Sequence, residues 1–367
     1  MRDLAQRALD TATARGAEYA DVRFVRRQTQ SIVVKNGRVE ALTNNESYGF
    51  GVRVVADGAW GFAASSLVTP AEIDRVAAHA VAIARASALV RGPRAALGPP
   101  VRHQASYRTP VRKDPFAVSL DDKIGVLLRA SEEMQRVPGI AVAEASVEVW
   151  REQKVFANSE GSYVEQDLYE TGCGIEATAV GEDDVQRRSF PNSVGRHQGT
   201  EGWEFVERWD LVGNAPRIAE EAVALLTAKP CPSGVTTVVL DGSQMGLQIH
   251  ESCGHAVELD RVLGTEAAFA GTSFLTTDKL GSFRYGSDLV HLTADATIPG
   301  GLGTFGFDDE GVPAQRVELV RNGIFLGYLT DRESAARLGL PGSGGAGRAD
   351  GWGRIPLIRM TNVSLEP

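Results

Sequence analysis

Two dipeptides, Asn36-Gly37 and Asp57-Gly58, each sit inside a run of alternating apolar and polar residues, "SIVVKNGRVEALT" and "GFGVRVVADGAWGFAAS". A two-residue type I′ turn needs φ > 0 at both central positions, and Asn-Gly and Asp-Gly tolerate that best. The first part of the chain is therefore held to antiparallel hairpins. A helix is predicted before them, at about 3 to 15. After them Thr69 caps "PAEIDRVAAHAVAIARASALV", with Pro70 at the first helical position and Glu72 three residues past the cap. The result is a two-helix, antiparallel-sheet unit. Gly92, Pro93, Gly98, Pro99 and Pro100 suit no regular element, so the first boundary falls there and the unit spans 1–100.

The next segment repeats this grammar. A helix is predicted near 119 to 136, followed by strands at 140 to 150, 153 to 157, 162 to 167 and 173 to 180, with "NSEG" at 158 to 161 joining two of them. A helix at about 215 to 228 closes the segment, and "KPCPSG" marks the second boundary, which gives 101–230. From 235 the run "TTVVLDG" opens a β-rich third part, 231–367. No repeat of solenoid length is evident. The predicted class is α+β: two amino-terminal antiparallel-sheet-plus-helix units, then a β-rich carboxy-terminal domain. A length of 367 residues fits two or three domains.

Composition narrows the partners. No segment approaches the roughly 20 uninterrupted apolar residues that a membrane span needs. The opening residues MRDLAQRALDTATARG lack an apolar core and read as a helix of the mature protein. Cys173, Cys231 and Cys253 form an odd, scattered set, which fits a reducing compartment and makes cytoplasmic residence the default expectation. The net charge is 38 minus 47, or −9, with no basic run interleaved with aromatics, so a nucleic-acid partner is disfavoured.

Chemistry concentrates in "QIHESCGHAVELD", residues 248 to 260, which holds two of the chain's six histidines. His250 and His255 bracket Glu251, a residue type able to take a proton from water beside a metal, and imidazole is the commonest neutral zinc ligand. The spacing is unusual. Residues four apart lie about 40° from each other around an α-helix, whereas residues five apart lie about 140° apart. An ordinary helix would not aim both histidines at one ion. Either a π-type bulge restores a common face, or the helix ends near Gly254 and His255 approaches from the next turn; glycine eases both. A catalytic zinc site wants three protein ligands. The candidates for the third are Cys253, Glu258, Asp260 and the cluster Asp308-Asp309-Glu310, with Cys253 read as a packed thiol and "FDDEG" as a β-turn. Glu258 and Asp260 are alternatively placed to orient a histidine. Two G-x-G-x-x-G matches, at Gly301, Gly303 and Gly306 and at Gly342, Gly344 and Gly347, lack a strand-to-helix setting and read as loops. P-loop and nucleophile-elbow patterns are absent.

"HESCGH" at 250 to 255, "FDDEG" at 307 to 311, "NGIFLGYLTD" at 322 to 331, "GSGGAGR" and "RMTN" at 359 to 362 together resemble the TldD/PmbA family, in its TldD-type metalloprotease branch. The resemblance implies a three-part protein whose last domain carries a zinc-dependent peptidase site. The family's His-Glu-x-x-x-His falls on His250, Glu251 and His255, implying two Zn2+ ligands and a catalytic glutamate. It further implies action on unfolded or flexible peptides, in peptide maturation or degradation, within a homo-oligomer or with a PmbA-type partner that lacks the motif. The alternative is a non-catalytic, peptide-binding partner subunit of such a complex. The third ligand implied is a cysteine far downstream, with no counterpart among Cys173, Cys231 and Cys253. The expectation is that the carboxy-terminal part of the family pattern is lacking here.

Overall fold

The computed structural model describes residues 1–90 and 92–367. Its first segment runs α1 (Arg2–Ala14), β1 (Tyr19–Lys35), β2 (Arg38–Ala56), β3 (Ala59–Ser65) and α2 (Pro70–Ala88). Both turns form as expected: φ is +49° and +68° at Asn36 and Gly37, and +53° and +77° at Asp57 and Gly58. Thr69 caps α2, its hydroxyl accepting from the Glu72 N–H at 3.4 Å.

The second segment comprises β4 (Gln104–Arg108), α3 (Leu120–Gln135), β5 (Ile140–Asn158), β6 (Tyr163–Val180), β7 (Val185–Phe190), β8 (His197–Gly199), α4 (Glu204–Trp209) and α5 (Leu211–Leu225). Two long strands replace the four shorter ones predicted between 140 and 180. The gap left between the predicted strands at 150 and 153 does not occur, because the charges around it are matched in place. Arg151 pairs with Asp167 at 2.8 Å, and Glu152 pairs with Arg27 at 2.8 Å and with Lys154 at 3.0 Å. The ladder therefore continues through it. Helix α5 starts before the predicted 215, because Asp210 at φ +41° caps the Gly213 N–H and leaves Pro216 inside the helix.

The two segments share one eight-stranded sheet, ordered β3-β2-β1-β5-β6-β4, with β7 and β8 also on β6. The seam is β1 against β5, antiparallel from Asp21–Asn158 to Lys35–Glu144. Two helical layers bury its apolar side chains. Helices α1 and α2 close over Phe24, Phe50 and Val52, while α3 and α5 close over Ile32, Val147 and Ile175.

The remainder holds α6 (Gly242–Ile249), α7 (Leu259–Val262), β9 (Leu292–Asp295), β10 (Arg316–Arg321), β11 (Ile324–Phe325), α8 (Arg332–Arg337), β12 (Gly347–Arg348), β13 (Leu357–Ile358) and β14 (Asn362–Leu365). Strands β11-β10-β9-β14 form a four-stranded sheet, and β12 pairs with β13. The α+β class stands as predicted. The strand expected at "TTVVLDG" does not form: 235 to 240 adopts no regular element, with Val235, Val238, Val239 and Leu240 exposed. High β propensity makes a strand only where a neighbour completes the ladder, and no described segment runs alongside. No helix among the described residues is long and apolar enough to cross a membrane.

Candidate metal centre

Helix α6, capped by Asp241, delivers the chain to the histidines. At His250 the backbone changes from α to one π turn, His250–Gly254, in which the His255 N–H donates to the His250 carbonyl, and a 3₁₀ turn follows over His255–Val257. A π turn bonds residue i to i+5, so it returns the chain to the same face after five residues. This is the first of the two routes left open by the spacing. The two Nε2 atoms face each other at 3.1 Å, with the rings nearly perpendicular at 89°. The Glu251 carboxylate lies 3.9 Å from His250 Nε2. One ligand-type atom from each of His250, Glu251 and His255 can be drawn so that all three lie within 4.8 Å of one another.

Gly254 has a different role from the one expected. Its backbone is ordinary right-handed helix, φ −55° and ψ −53°, so no glycine-only conformation is used. What crowds a side chain here is packing, since a Cβ would stand 2.1 Å from Met360 Sδ unless that flexible side chain shifted. The "RMTN" block therefore bears directly on the histidine turn.

Behind His255 lies a charged brace. Its Nδ1 is 2.8 Å from Glu258 Oε2 and 2.9 Å from Arg261 Nη2, and Arg261 Nε forms an ion pair with the same Glu258 oxygen at 2.6 Å. A guanidinium only donates, so Nδ1 either accepts from Arg261 or, carrying its proton, donates to Glu258. A cation at Nε2 selects the second state, because it needs the lone pair there. Glu258 is buried and held by Arg261, so it is fixed in the place that state requires. Tyr285 fastens the π turn from outside, its hydroxyl donating to the Ser252 carbonyl at 2.9 Å.

The other candidates for a third ligand lie elsewhere or are engaged. Cys253 is buried in the apolar core, and burial pushes its thiol up to about 11. Asp260 turns away, accepting from the Ile358 and Arg261 N–H groups at 3.2 and 2.8 Å. "FDDEG" forms the expected turn, closed by Gly311 N–H to Asp308 O at 3.2 Å with Gly311 at φ +78°. Its acids face the amino-terminal sheet: Asp309 meets Lys154 at 2.7 Å and Glu310 meets Arg53 at 2.9 Å. The third-ligand position is not filled by any of them.

A cavity of about 550 Å³ opens beside Glu251 and His255, walled by Phe274, Phe283 and Tyr285. The sequence reading missed Arg261, Tyr285 and these phenylalanines. Arg261 left a signal, since His255, Glu258 and Arg261 recur at three-residue spacing. Tyr285 left none, being brought in by the tertiary fold.

Family models match almost the whole chain: PmbA/TldA metallopeptidase domain 1 over residues 20–84, the central domain over 113–229 and the C-terminal domain over 233–367. The chain belongs to the TldD/PmbA family. A metalloprotease of Methanocaldococcus jannaschii is 31% identical over 353 residues, which is 95% of this chain and 74% of that protein. A zinc metalloprotease TldD homolog of Saccharolobus solfataricus is 23% identical, over 96% of this chain and 73% of that one. Among solved structures, TldE from Thermococcus kodakarensis superposes with a TM-score of 0.71 at 17% identity, covering 99% of this chain and 77% of the other, and so shares the fold. Membership places this chain in a metallopeptidase family and agrees with the resemblance carried by "HESCGH" and its companion blocks.

Proposed function

We propose that this protein is a zinc-dependent metallopeptidase acting on unfolded or flexible peptides, in their maturation or degradation. One observation carries the reading: a π turn that brings two imidazole Nε2 atoms together with the Glu251 carboxylate beside them. His250 and His255 would hold the ion. Imidazole pairs suit zinc among the common metals, and a relative is named a zinc metalloprotease. A bound zinc ion would act as a Lewis acid on the peptide carbonyl. Glu251, exposed at the mouth of the aromatic cavity, accepts the proton of the attacking water and returns it to the leaving amine. Glu258 keeps the His255 proton on Nδ1, leaving Nε2 free to bind. A partner of PmbA type and residence in the cytoplasm complete the proposal, the latter supported by three unpaired thiols.

The test is metal content together with cleavage of an unfolded protein, comparing wild type with Glu251→Gln. The variant is expected to retain zinc and to lose activity by roughly 100-fold or more, the usual contribution of a positioned general base. Equal cleavage rates would remove Glu251 from the mechanism. A His250→Ala variant that still binds zinc as wild type does would remove the site itself.

A further inference from the structure

A second cavity, of about 380 Å³, lies between the amino-terminal sheet and the last domain, on the side of α7 to which Asp260 turns. Its walls are largely apolar: Trp60 and Phe62 from β3, Ile83 from α2, Leu263 after α7, and Ile355 before β13. Several charged groups line it, and most neutralise one another. Arg53 binds Asp21 and Glu310 at 2.7 and 2.9 Å, while Arg337 binds Glu333, which also accepts from the Trp60 indole N–H at 2.7 Å.

Three carboxylates in the wall, Asp260, Asp331 and Glu266, have no such partner, and the first two are the more enclosed. Asp260 is 8% exposed and accepts only backbone N–H groups, from Arg261 and Ile358. Asp331 accepts the Ser334 N–H as the cap of α8. Neither has a lysine, arginine or histidine nitrogen within 4.0 Å among the described residues. Burial pushes both carboxyls up to about 6, and nearby acids add to it, Glu258 and Glu266 at Asp260 and Glu310 at Asp331, where Arg53 opposes the shift only in part.

Anionic groups lacking a cation, set into an aromatic and aliphatic wall, define the complementary ligand. We propose that this cavity binds an organic cation on an apolar body, an alkyl- or arylalkylammonium group, supplied either by a free amine or by the lysine side chain of a peptide. The ammonium would be drawn to the Asp260 and Asp331 carboxylates in the wall, and the body would lie against Trp60 and Leu263. Neither acid belongs to the proposed zinc site, so the two proposals stand or fall separately.

The experiment is calorimetric titration of the whole protein in neutral buffer with 4-phenylbutylamine and with 4-phenylbutan-1-ol. The amine is expected to bind at least about ten-fold tighter than the alcohol, the size of one charge-assisted hydrogen bond. Asp331→Asn keeps a good helix cap and should weaken amine binding by about ten-fold. Leu263→Trp fills the cavity and should abolish binding, with a thermal unfolding curve run beside each variant to show that it is folded. Equal binding of amine and alcohol, no saturable binding of the amine, or unchanged affinity in both folded variants would overturn the proposal. A terminally blocked lysine peptide that displaces the amine would identify a peptide side chain as the source, and one that does not would identify a free amine.

Discussion

A methyl group at position 254 is the smallest change that tests how the histidine turn is held. Gly254 has ordinary helical angles, so alanine there carries no backbone strain, and its whole cost is the collision with Met360 Sδ. Met360 Sδ is near the end of a flexible side chain that can shift, so the cost of overpacking stays at the low end, about 1 kcal/mol or less. Gly254→Ala should lose no more than that in urea unfolding, and adding Met360→Ala should remove the loss; a loss of about 3 kcal/mol that Met360→Ala leaves unchanged would show that Met360 is not what crowds this position. Glu258 offers a second test. Glu258→Gln keeps the volume but can accept the His255 proton only weakly, so zinc affinity measured by competition with a chelating dye should fall about 10- to 100-fold. Unchanged affinity would show that the brace does not orient the ligand. At this scale the sequence was informative about chemistry and silent about contacts. His250, Glu251 and His255 announced themselves by type and spacing, and Glu258 was already weighed as an orienting acid. Gly254 was read as a source of backbone freedom because a glycine in sequence shows what it permits, never what packs against it.

Elements were legible where their signals are local. The two I′ turns and the Thr69 cap each rest on residues within four positions of one another, and each formed as expected. Long strands were less legible, because the continuity of β5 and β6 depends on charges matched across strands, as Arg151 is by Asp167. The run at 235 to 240 shows the limit, since residues that favour a strand cannot supply their own neighbour. Contacts between elements make a paired prediction. A Cβ at Gly61 of β3 would stand 2.1 Å from the Ala80 carbonyl and 2.5 Å from the Ala84 nitrogen, so α2 lies directly on that glycine. Rigid helix backbone cannot yield as a side chain does, and Gly61→Ala should destabilise by about 2–3 kcal/mol. Gly246 in α6 has nothing within 4 Å of a Cβ and sits in a helix interior. Gly246→Ala should therefore stabilise by about 0.5–1 kcal/mol. Thermal unfolding of the two variants compares them, and equal shifts would sink the distinction.

At the scale of the whole molecule, a buried charge network ties the last domain to the sheet. Lys154 of β5 reaches Asp309 at 2.7 Å and Glu152 at 3.0 Å, Arg53 of β2 reaches Glu310 at 2.9 Å, and Arg332 reaches Glu160 at 2.9 Å. Nothing local in "FDDEG" indicated that its acids would meet bases more than 150 positions earlier in the chain. Burial alone would raise the Asp309 carboxyl, but Lys154 and Arg23 outweigh it and hold it below its ordinary value. A carboxyl whose folded pKa is depressed adds stability above its unfolded value, and that contribution is lost as pH falls through the folded one. Lys154→Met would leave Asp309 buried with Arg23, at 3.8 Å, as the one cation within 4.0 Å among the described residues, and with Arg348 acting from farther off. Breaking one side of a buried pair costs about 3–5 kcal/mol. The loss in urea unfolding should be full at neutral pH and should shrink in acid, where Asp309 protonates in the variant and no longer needs the lysine. Adding Asp309→Asn should recover part of the loss at neutral pH, because it removes the stranded charge while keeping an acceptor for the Ala349 N–H, now held at 2.7 Å. A Lys154→Met penalty that is the same in acid as at neutral pH, with no recovery in the double variant, would mean that the lysine contributes through packing and that this charge pair does not hold the domains together.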